Sequence, residues 1–398
     1  MRKILILVLN ITLLMFVSAC KETQTDTKPS GNRDLVTYLQ NVKLPKNLSI
    51  SFDAAKVKSV ALAKTYTADF LELDPDMVAK GLLRREIIDK KPQAVGPWFQ
   101  TGDESLTEYL TVLDGGKSFG VENEVNGGLY YGVYINGKPD EDLSSVISGE
   151  VGPPSVNEQL QRSLSRSDYA SFADLSFVKY ADALAAIEKQ FDAIGLPKLE
   201  VAETYSMDLE TIRNHYALYI EENRNQEDPE DFSWSKDDEG YLFHLRQLID
   251  NIPVINVSWE LGKGTATGAD GNLMKFPIID VTYTKDGVTD IRASGLYDVE
   301  AAKGGDEKPL IGVADALQVV FDEYKELLLD EGTRVTSAEL VYVSIPAKDT
   351  NELIPAWVFG IAKPNKWKDA ESGAEFPYDD YSQYVVNAIT GEKLSGMR

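Results

Sequence analysis

Gly116-Lys-Ser-Phe-Gly120 has the G-x-S-x-G spacing of serine hydrolases, in which a serine on a sharp strand-to-helix turn attacks an acyl carbon and a downstream histidine takes its proton. The only two histidines, His215 and His244, both follow Ser118, so a triad is formally available. The neighbouring residues predict a different local structure. Asp114-Gly115-Gly116 is a turn signal and Val121-Glu-Asn-Glu-Val125 alternates apolar and polar residues as a strand does, so the motif is expected at a hairpin turn. Ser176 to Lys179 and Ser233 to Lys236 have the S-x-x-K spacing of penicillin-recognising enzymes, but the S-D-N and K-T-G elements those enzymes need do not occur. Gly262-Lys-Gly-Thr-Ala-Thr-Gly268 is glycine-rich without the residue order that cradles phosphate. These patterns assign no catalytic residue and no cofactor.

Cys20 is the only cysteine, and one cysteine with two histidines builds neither a disulfide framework nor a structural zinc site. Turns such as Ala269-Asp270-Gly271 and Lys285-Asp286-Gly287 carry single acids, not the alternating series of a calcium loop, and no metal ligand is expected. Between Glu221 and Glu239 nine acids stand against two bases, Arg224 and Lys236. This run reads as a solvated loop, a weak calcium site or a docking surface for a basic partner. Large aromatics in a polar loop often anchor interfaces, so Asp228, Glu230, Asp231, Phe232, Trp234, Asp237 and Asp238 are the candidate partner-docking residues. His215 and His244 bracket the run on segments read as helical, where a pH-sensing role competes with that of plain surface residues. Trp98, Trp234, Trp259, Trp357 and Trp367 could stack on sugar rings, although core packing is the commoner fate of tryptophan.

The chain of 398 residues is 43% hydrophobic, enough for two or three domains with cores. Sixty-four acids against 40 bases give a net charge of −24, which repels phosphate backbones and excludes a nucleic-acid partner.

Arg2 and Lys3 precede an apolar stretch, Ile4 to Val17, that is short for a membrane span of about 20 residues and reads as a secretory signal over 1–19. It ends in Val17-Ser18-Ala19-Cys20, which resembles a bacterial lipobox. That resemblance implies thioether lipidation of Cys20 and attachment to the outer face of the cell membrane. Residues 20–34 hold no hydrophobic cluster that could offset the entropy of ordering them, so they read as a tether. Lipid chains, rather than electrostatics, must hold so acidic a body at an anionic surface.

The mature text predicts an α+β fold. Residues 35–150 read as an N-terminal α+β domain, with helical spacing in parts of Ala54 to Phe70 and Asp76 to Ile88, and strands at Tyr109–Leu113 and Leu129–Ile135. A Ser-, Gly- and Pro-rich linker is expected at 151–174. Ala181-Asp-Ala-Leu184 then recurs as Ala314-Asp-Ala-Leu317, and Leu184, Ile187, Phe191 and Ile194 are matched by Leu317, Val320, Tyr324 and Leu327 at a constant offset of 133 residues. Spacings of three and four put each set on one helix face, and strand-like text follows each helix. Two related helix-plus-antiparallel-sheet modules, 175–300 and 301–398, are therefore expected. Tyr241–Asp250 reads as helical, Ile278–Tyr283 as a strand, and Ala356–Ala362 and Tyr384–Leu394 as strands of the second module.

A helix, a sheet with the strand Pro355-Ala-Trp-Val-Phe359 and a last hairpin, Val386-Asn-Ala-Ile-Thr-Gly-Glu-Lys-Leu394, resemble PepSY-type domains and related modules in Gram-positive lipoproteins and regulators of a cell-wall sensor kinase. The resemblance spans roughly residues 175–398. It implies modules that are not catalytic and that inhibit proteases or modulate sensors. Two expectations follow: a non-enzymatic lipid-anchored protein that binds an envelope protein or peptide, or an envelope hydrolase or glycan-binding protein that uses the N-terminal domain.

Overall fold

The computed structural model describes residues 33–83, 91–94, 107–113, 117–122, 128–133, 159–160, 169–222, 233–255, 278–298, 303–346, 350–370 and 372–394. The N-terminal stretch forms helix α1 (Leu35–Asn41), β1 (Leu48–Ile50), β2 (Leu62–Ala63), β3 (Tyr66–Ala68) and the short helix α2 (Pro75–Val78), which widens into a π-helical turn at Ala79–Leu83. Then come β4 (Lys91–Ala94), β5 (Thr107–Leu113), β6 (Lys117–Glu122) and β7 (Gly128–Val133). A first half follows: α3 (Tyr180–Ala193), β8 (Leu199–Met207), α4 (Leu209–Glu222), β9 (Gly240–Ile249), β10 (Ile252–Ile255), β11 (Ile278–Thr284) and β12 (Gly287–Ser294). The second half comprises β13 (Lys303–Gly304), β14 (Lys308–Pro309), α5 (Val313–Lys325), β15 (Thr333–Pro346), β16 (Asn351–Lys368) and β17 (Glu375–Asn387). The fold is α+β and strands dominate it.

Each half is a helix laid on an antiparallel meander. In the first, β8, β9, β11 and β12 pair in that order, and β7, β6, β5 and β4 continue the sheet. Ala183, Ile187, Phe191 and Ile194 of α3 and the turn after it are buried in one core with Tyr241, Phe243, Leu245 and Val281. In the second, β15, β16 and β17 pair in that order. Leu317, Val320, Phe321 and Tyr324 of α5 share a core with Trp357, Phe359, Ile361 and Tyr384. The 133-residue repeat thus holds at the buried pairs Ile187/Val320 and Phe191/Tyr324.

The repeat breaks at its last pair, for a local reason. Gly195 takes a left-handed φ of +77°, so Gly195 N–H and Leu196 N–H turn back onto the carbonyls of Asp192 and Phe191, and Ile194 and Leu196 are buried. The equivalent of Gly195 in the second half is Leu328. Without a glycine to make that turn, Leu327 is left 51% exposed and Leu328 96% exposed.

The halves are joined edge to edge. β9 turns into β10 through Asp250 and Asn251, both left-handed with φ of 50° and 63°, as a two-residue type I′ hairpin requires. β10 then runs parallel to β15, pairing Val254 with Tyr342 and Ile255 with Val343. Arg246 on β9 reinforces the joint, holding Glu339 of β15 bidentately at 2.7 and 3.0 Å and Glu200 of β8 at 2.7 Å.

Several expectations need correction. Tyr241–Asp250 is not helical: it is the strand β9, buried on both faces, so its apolar residues occur on both parities and blur the alternation that marks a half-buried strand. Ala54–Phe70 is not a helix but a 3-10 turn at Ala54–Lys56 followed by β2 and β3. The helix expected from Asp76 begins at Pro75, and its described part ends at Leu83. The described parts of 35–150 contribute to both halves. β1 and β3 pair with β15 and β16, whereas β7 pairs with β12.

Candidate functional site

The described part of the Ser118 motif, residues 117–120, is extended. Ser118 lies in β6, opposite Val112 on one side and Gly132 on the other, inside an antiparallel ladder and past the hairpin turn expected for the motif. A nucleophile elbow needs a strand-to-helix turn, and β6 pairs with β7 instead. Ser176 is also engaged, its N–H and hydroxyl both donated to the buried carboxylate of Glu239.

Both histidines are buried, contrary to the surface expectation, and His244 sits on a strand. The register lines Glu203 of β8, His244 of β9, Asp280 of β11 and Arg292 of β12 across one row of the first sheet. His244 Nδ1 is 2.6 Å from Asp280 Oδ1. The ring of Tyr205 stands edge-on to His244 at 5.7 Å and to Tyr169 at 5.8 Å, and Tyr169 Oη lies 2.9 Å from His215 Nδ1 on α4. An Asp–His pair of this kind orients an imidazole, but hydrolysis also needs a nucleophile within hydrogen-bond reach. Two hydroxyls of β8 are committed elsewhere, Tyr205 to Glu203 and Thr204 to the Leu242 carbonyl. Through Tyr169 and Tyr205 this row is linked to His215 on α4.

The acidic run divides. Asp228, Glu230, Asp231 and Phe232 lie outside the described residues, as do Cys20, Trp98 and Trp259. Trp234 is buried in a small core with Tyr205, Ile212 and Tyr216, its ring 5.4 Å from that of Tyr216, so it holds α4 down and does not present itself to a partner. Asp238 caps a 3-10 turn by accepting from Ser235 N–H and hydroxyl, and Asp237 faces solvent 3.9 Å from Lys285. Among the described residues no three His, Cys, Asp or Glu side chains form a metal-binding group.

A third place was missed by the sequence reading. β16 and β17 pair along thirteen positions, from Ala356–Asn387 to Lys368–Glu375. β15 covers β16 only up to Ala362. Beyond that point, over residues 363–368 and 375–380, no other described strand pairs with this two-stranded arm, most of whose residues are exposed. Near its tip Trp367 faces Phe376 directly across the ladder, with ring centroids 5.7 Å apart and exposures of 44% and 42%. Asn365 and Tyr378 form the next pair on the same face.

The base of this arm is fastened. Arg334 binds both carboxylate oxygens of Asp379, with Nη1 at 3.1 Å, and the pairing holds the guanidinium above its ordinary pKa. Gln159 pairs its amide with Asp379 N–H and C=O at 2.8 Å each, as a neighbouring strand would. Behind the base, Tyr384 donates to Glu323, whose carboxylate also receives Lys393 at 2.7 Å. Burial pushes the Glu323 carboxyl up, but Lys393 and Tyr384 outweigh it and leave it below the usual range. The sequence signal for the arm is two aromatics, Trp367 and Phe376, on either side of the glycine of Ser372-Gly373. Pro364 and three lysines between Lys363 and Lys368 disguise the strand.

No family model and no curated protein matches the chain. Its fold is similar to that of an uncharacterised protein from Eubacterium rectale ATCC 33656, solved at 1.45 Å, with a TM-score of 0.56 and 14% identity over 88% of this chain and 91% of the other.

Proposed function

We propose that this is a non-enzymatic protein held on the outer face of the cell membrane by lipid on Cys20, with two PepSY-like halves, and that it docks an envelope protein or peptide such as a protease or a sensor. The observation that supports docking most directly is the exposed Trp367–Phe376 pair on a ribbon that leaves the body of the fold. Tryptophan is enriched at the energetic centres of interfaces, and here it contributes nothing to a core. The engaged side chains of Ser176 and Tyr205, and the extended backbone at Ser118, favour binding over hydrolysis.

The test is a cross-linked pull-down of the lipidated protein from its own envelope fraction. The wild type should retain a specific partner that the Trp367→Ala/Phe376→Ala variant loses and an Asp237→Asn/Asp238→Asn variant keeps. If only the acidic variant loses it, the acidic run is the docking site. If the wild type captures nothing above background, the binding reading fails. Cys20→Ala should move the protein from the membrane fraction to the soluble one.

A further inference from the structure

Resting on the reading of Cys20 as a lipid anchor, we infer that the small sheet formed by β2 and β14 is a membrane-facing surface. Its lysines and exposed apolar side chains lie against the anionic lipid headgroups of the membrane that holds the chain, and so set how the body stands on it.

The chain segregates its charge. Residues 33–64 carry six bases against two acids on a chain whose net charge is −24, and from Ala54 to Lys64 there are three lysines and no acid. The fold adds two more lysines to these. β2 pairs with β14 in a two-stranded sheet separate from the large one, with Leu62 opposite Pro309 and Ala63 opposite Lys308. Lys303 of β13 is brought alongside, paired with Thr67 of β3. Asp306 and Glu307 stand between Lys303 and Lys308, so segments 54–64 and 303–309 together hold five lysines against two acids.

The apolar part of this surface is open. Lys58 to Leu62 face solvent in an unbroken run, with Val60 43% and Leu62 51% exposed, and Pro309 opposite Leu62 is exposed as well. Exposed apolar side chains interleaved with lysine suit a lipid surface, where the apolar groups enter the headgroup boundary and the ammonium groups meet phosphate.

The anchor brings such a surface within reach. Thirteen peptide units separate Cys20 from Arg33, at most about 45 Å of fully extended chain. Arg33 pairs with Asp315 in the first turn of α5, and Leu310 N–H, just before that helix, donates to the Ala61 carbonyl at 2.9 Å. The residue at which the anchored segment joins the fold and the β2–β14 sheet therefore lie at the same end of α5. With this end set aside the chain is more acidic still. Repulsion of the remainder and attraction of the lysines then act in the same sense at an anionic surface. The lipid supplies the affinity and the patch supplies the orientation.

The experiment uses the full lipidated chain, in which Cys20 is blocked by its lipid, with one new thiol carrying a fluorophore at Val60→Cys or at Phe172→Cys, an exposed position of the first half. The protein is reconstituted in phosphatidylglycerol or phosphatidylcholine vesicles containing a spin-labelled lipid as quencher. On phosphatidylglycerol, quenching at 60 should exceed that at 172 roughly three-fold or more. Lys56→Gln/Lys58→Gln/Lys64→Gln/Lys308→Gln should abolish the difference, and arginine at the same four positions should keep it. Equal quenching at the two positions in the vesicle-bound chain, an equal difference on phosphatidylcholine, or loss of the difference in the arginine variant would overturn the inference and leave the anchor standing. Shielding of position 60 from acrylamide before reconstitution would assign the surface to a second copy of the chain and overturn it too. If mass spectrometry finds no lipid on Cys20 and the chain stays out of the membrane fraction, the anchor and the inference fall together.

Discussion

The two halves of the molecule share a helix-on-meander core and differ in what lies beyond it. In the first, α4 packs over β8 and β9 through Ile212 and Tyr216 against Tyr205, Met207 and Trp234. In the second, the same arrangement is completed from the N-terminal side by α1, β1 and β3, and two of its strands run past the helix into solvent. Both histidines are buried in the first half. The half with little chemistry has the projecting surface. The difference sets a buried histidine in one half against an exposed aromatic pair in the other.

Trp357 and Trp367 sharpen this within one strand. They lie on the same face of β16, ten residues apart, one fully buried against α5 and the other on the arm. Trp357→Ala removes a buried indole and orphans the Ile311 carbonyl, and should cost about 3–5 kcal/mol. Phe191→Ala in the first half should cost a similar amount if the two cores are equivalent. Urea denaturation of both variants decides whether one half dominates stability.

The joint gives the next effect. Arg246→Ala leaves Glu339 and Glu200 without their shared partner across the β10–β15 junction, at about 1–3 kcal/mol for a partly exposed pair. The expected calorimetric signature is one unfolding transition splitting into two. A single transition displaced to lower temperature would mean that the backbone pairing of β10 with β15 couples the halves unaided. Gly360→Ala tests the second half alone. A Cβ there would sit 2.5 Å from Ser337 Oγ and 2.8 Å from Thr336 Oγ1 at the bulge in β15, so about 1–3 kcal/mol should be lost without any change in the first half.

Alkaline pH separates the halves chemically. Burial pushes Tyr38 up to about 12, and burial with the Asp250 hydrogen bond does the same for Tyr66; burial also raises Tyr342 and Tyr384. All four belong to the second core, against two in the first, Tyr180 and Tyr241, that burial also raises. A raised phenol favours the folded state fully below the unfolded value of 10.0, and that contribution is lost as pH climbs through the folded one. In single-tryptophan variants the emission of Trp357 should therefore red-shift at a lower pH than that of Trp234, which reports on the packing under α4. The reverse order would show that the first half is the weaker at high pH.

How much of this was legible in the sequence depends on periodicity. The helices α3 and α5 and their offset are plain, because a helix buried on one face writes its contacts at spacings of three and four. β9 is misread because a strand buried on both faces has no polar parity. Trp234 of the acidic run read as a docking anchor because composition cannot tell that it turns inward beneath Tyr216. The arm stayed hidden for the opposite reason. Its residues are polar and proline-bearing, as a loop would be, and only the thirteen-position register with β17 reveals that they are paired.

The smallest predicted effect bears most on function. Trp367→Ala removes a cross-strand aromatic pair from an exposed ribbon, and such pairs contribute roughly 0.2–1 kcal/mol. The variant should unfold within a degree or two of the wild type while its partner binding falls sharply. That dissociation is what distinguishes a surface kept for recognition from one kept for stability. If Trp367→Ala instead cost as much as Trp357→Ala, the arm would be packed in solution against part of this same chain. The contrast between the two tryptophans, and with it the contrast between the two halves, would then collapse.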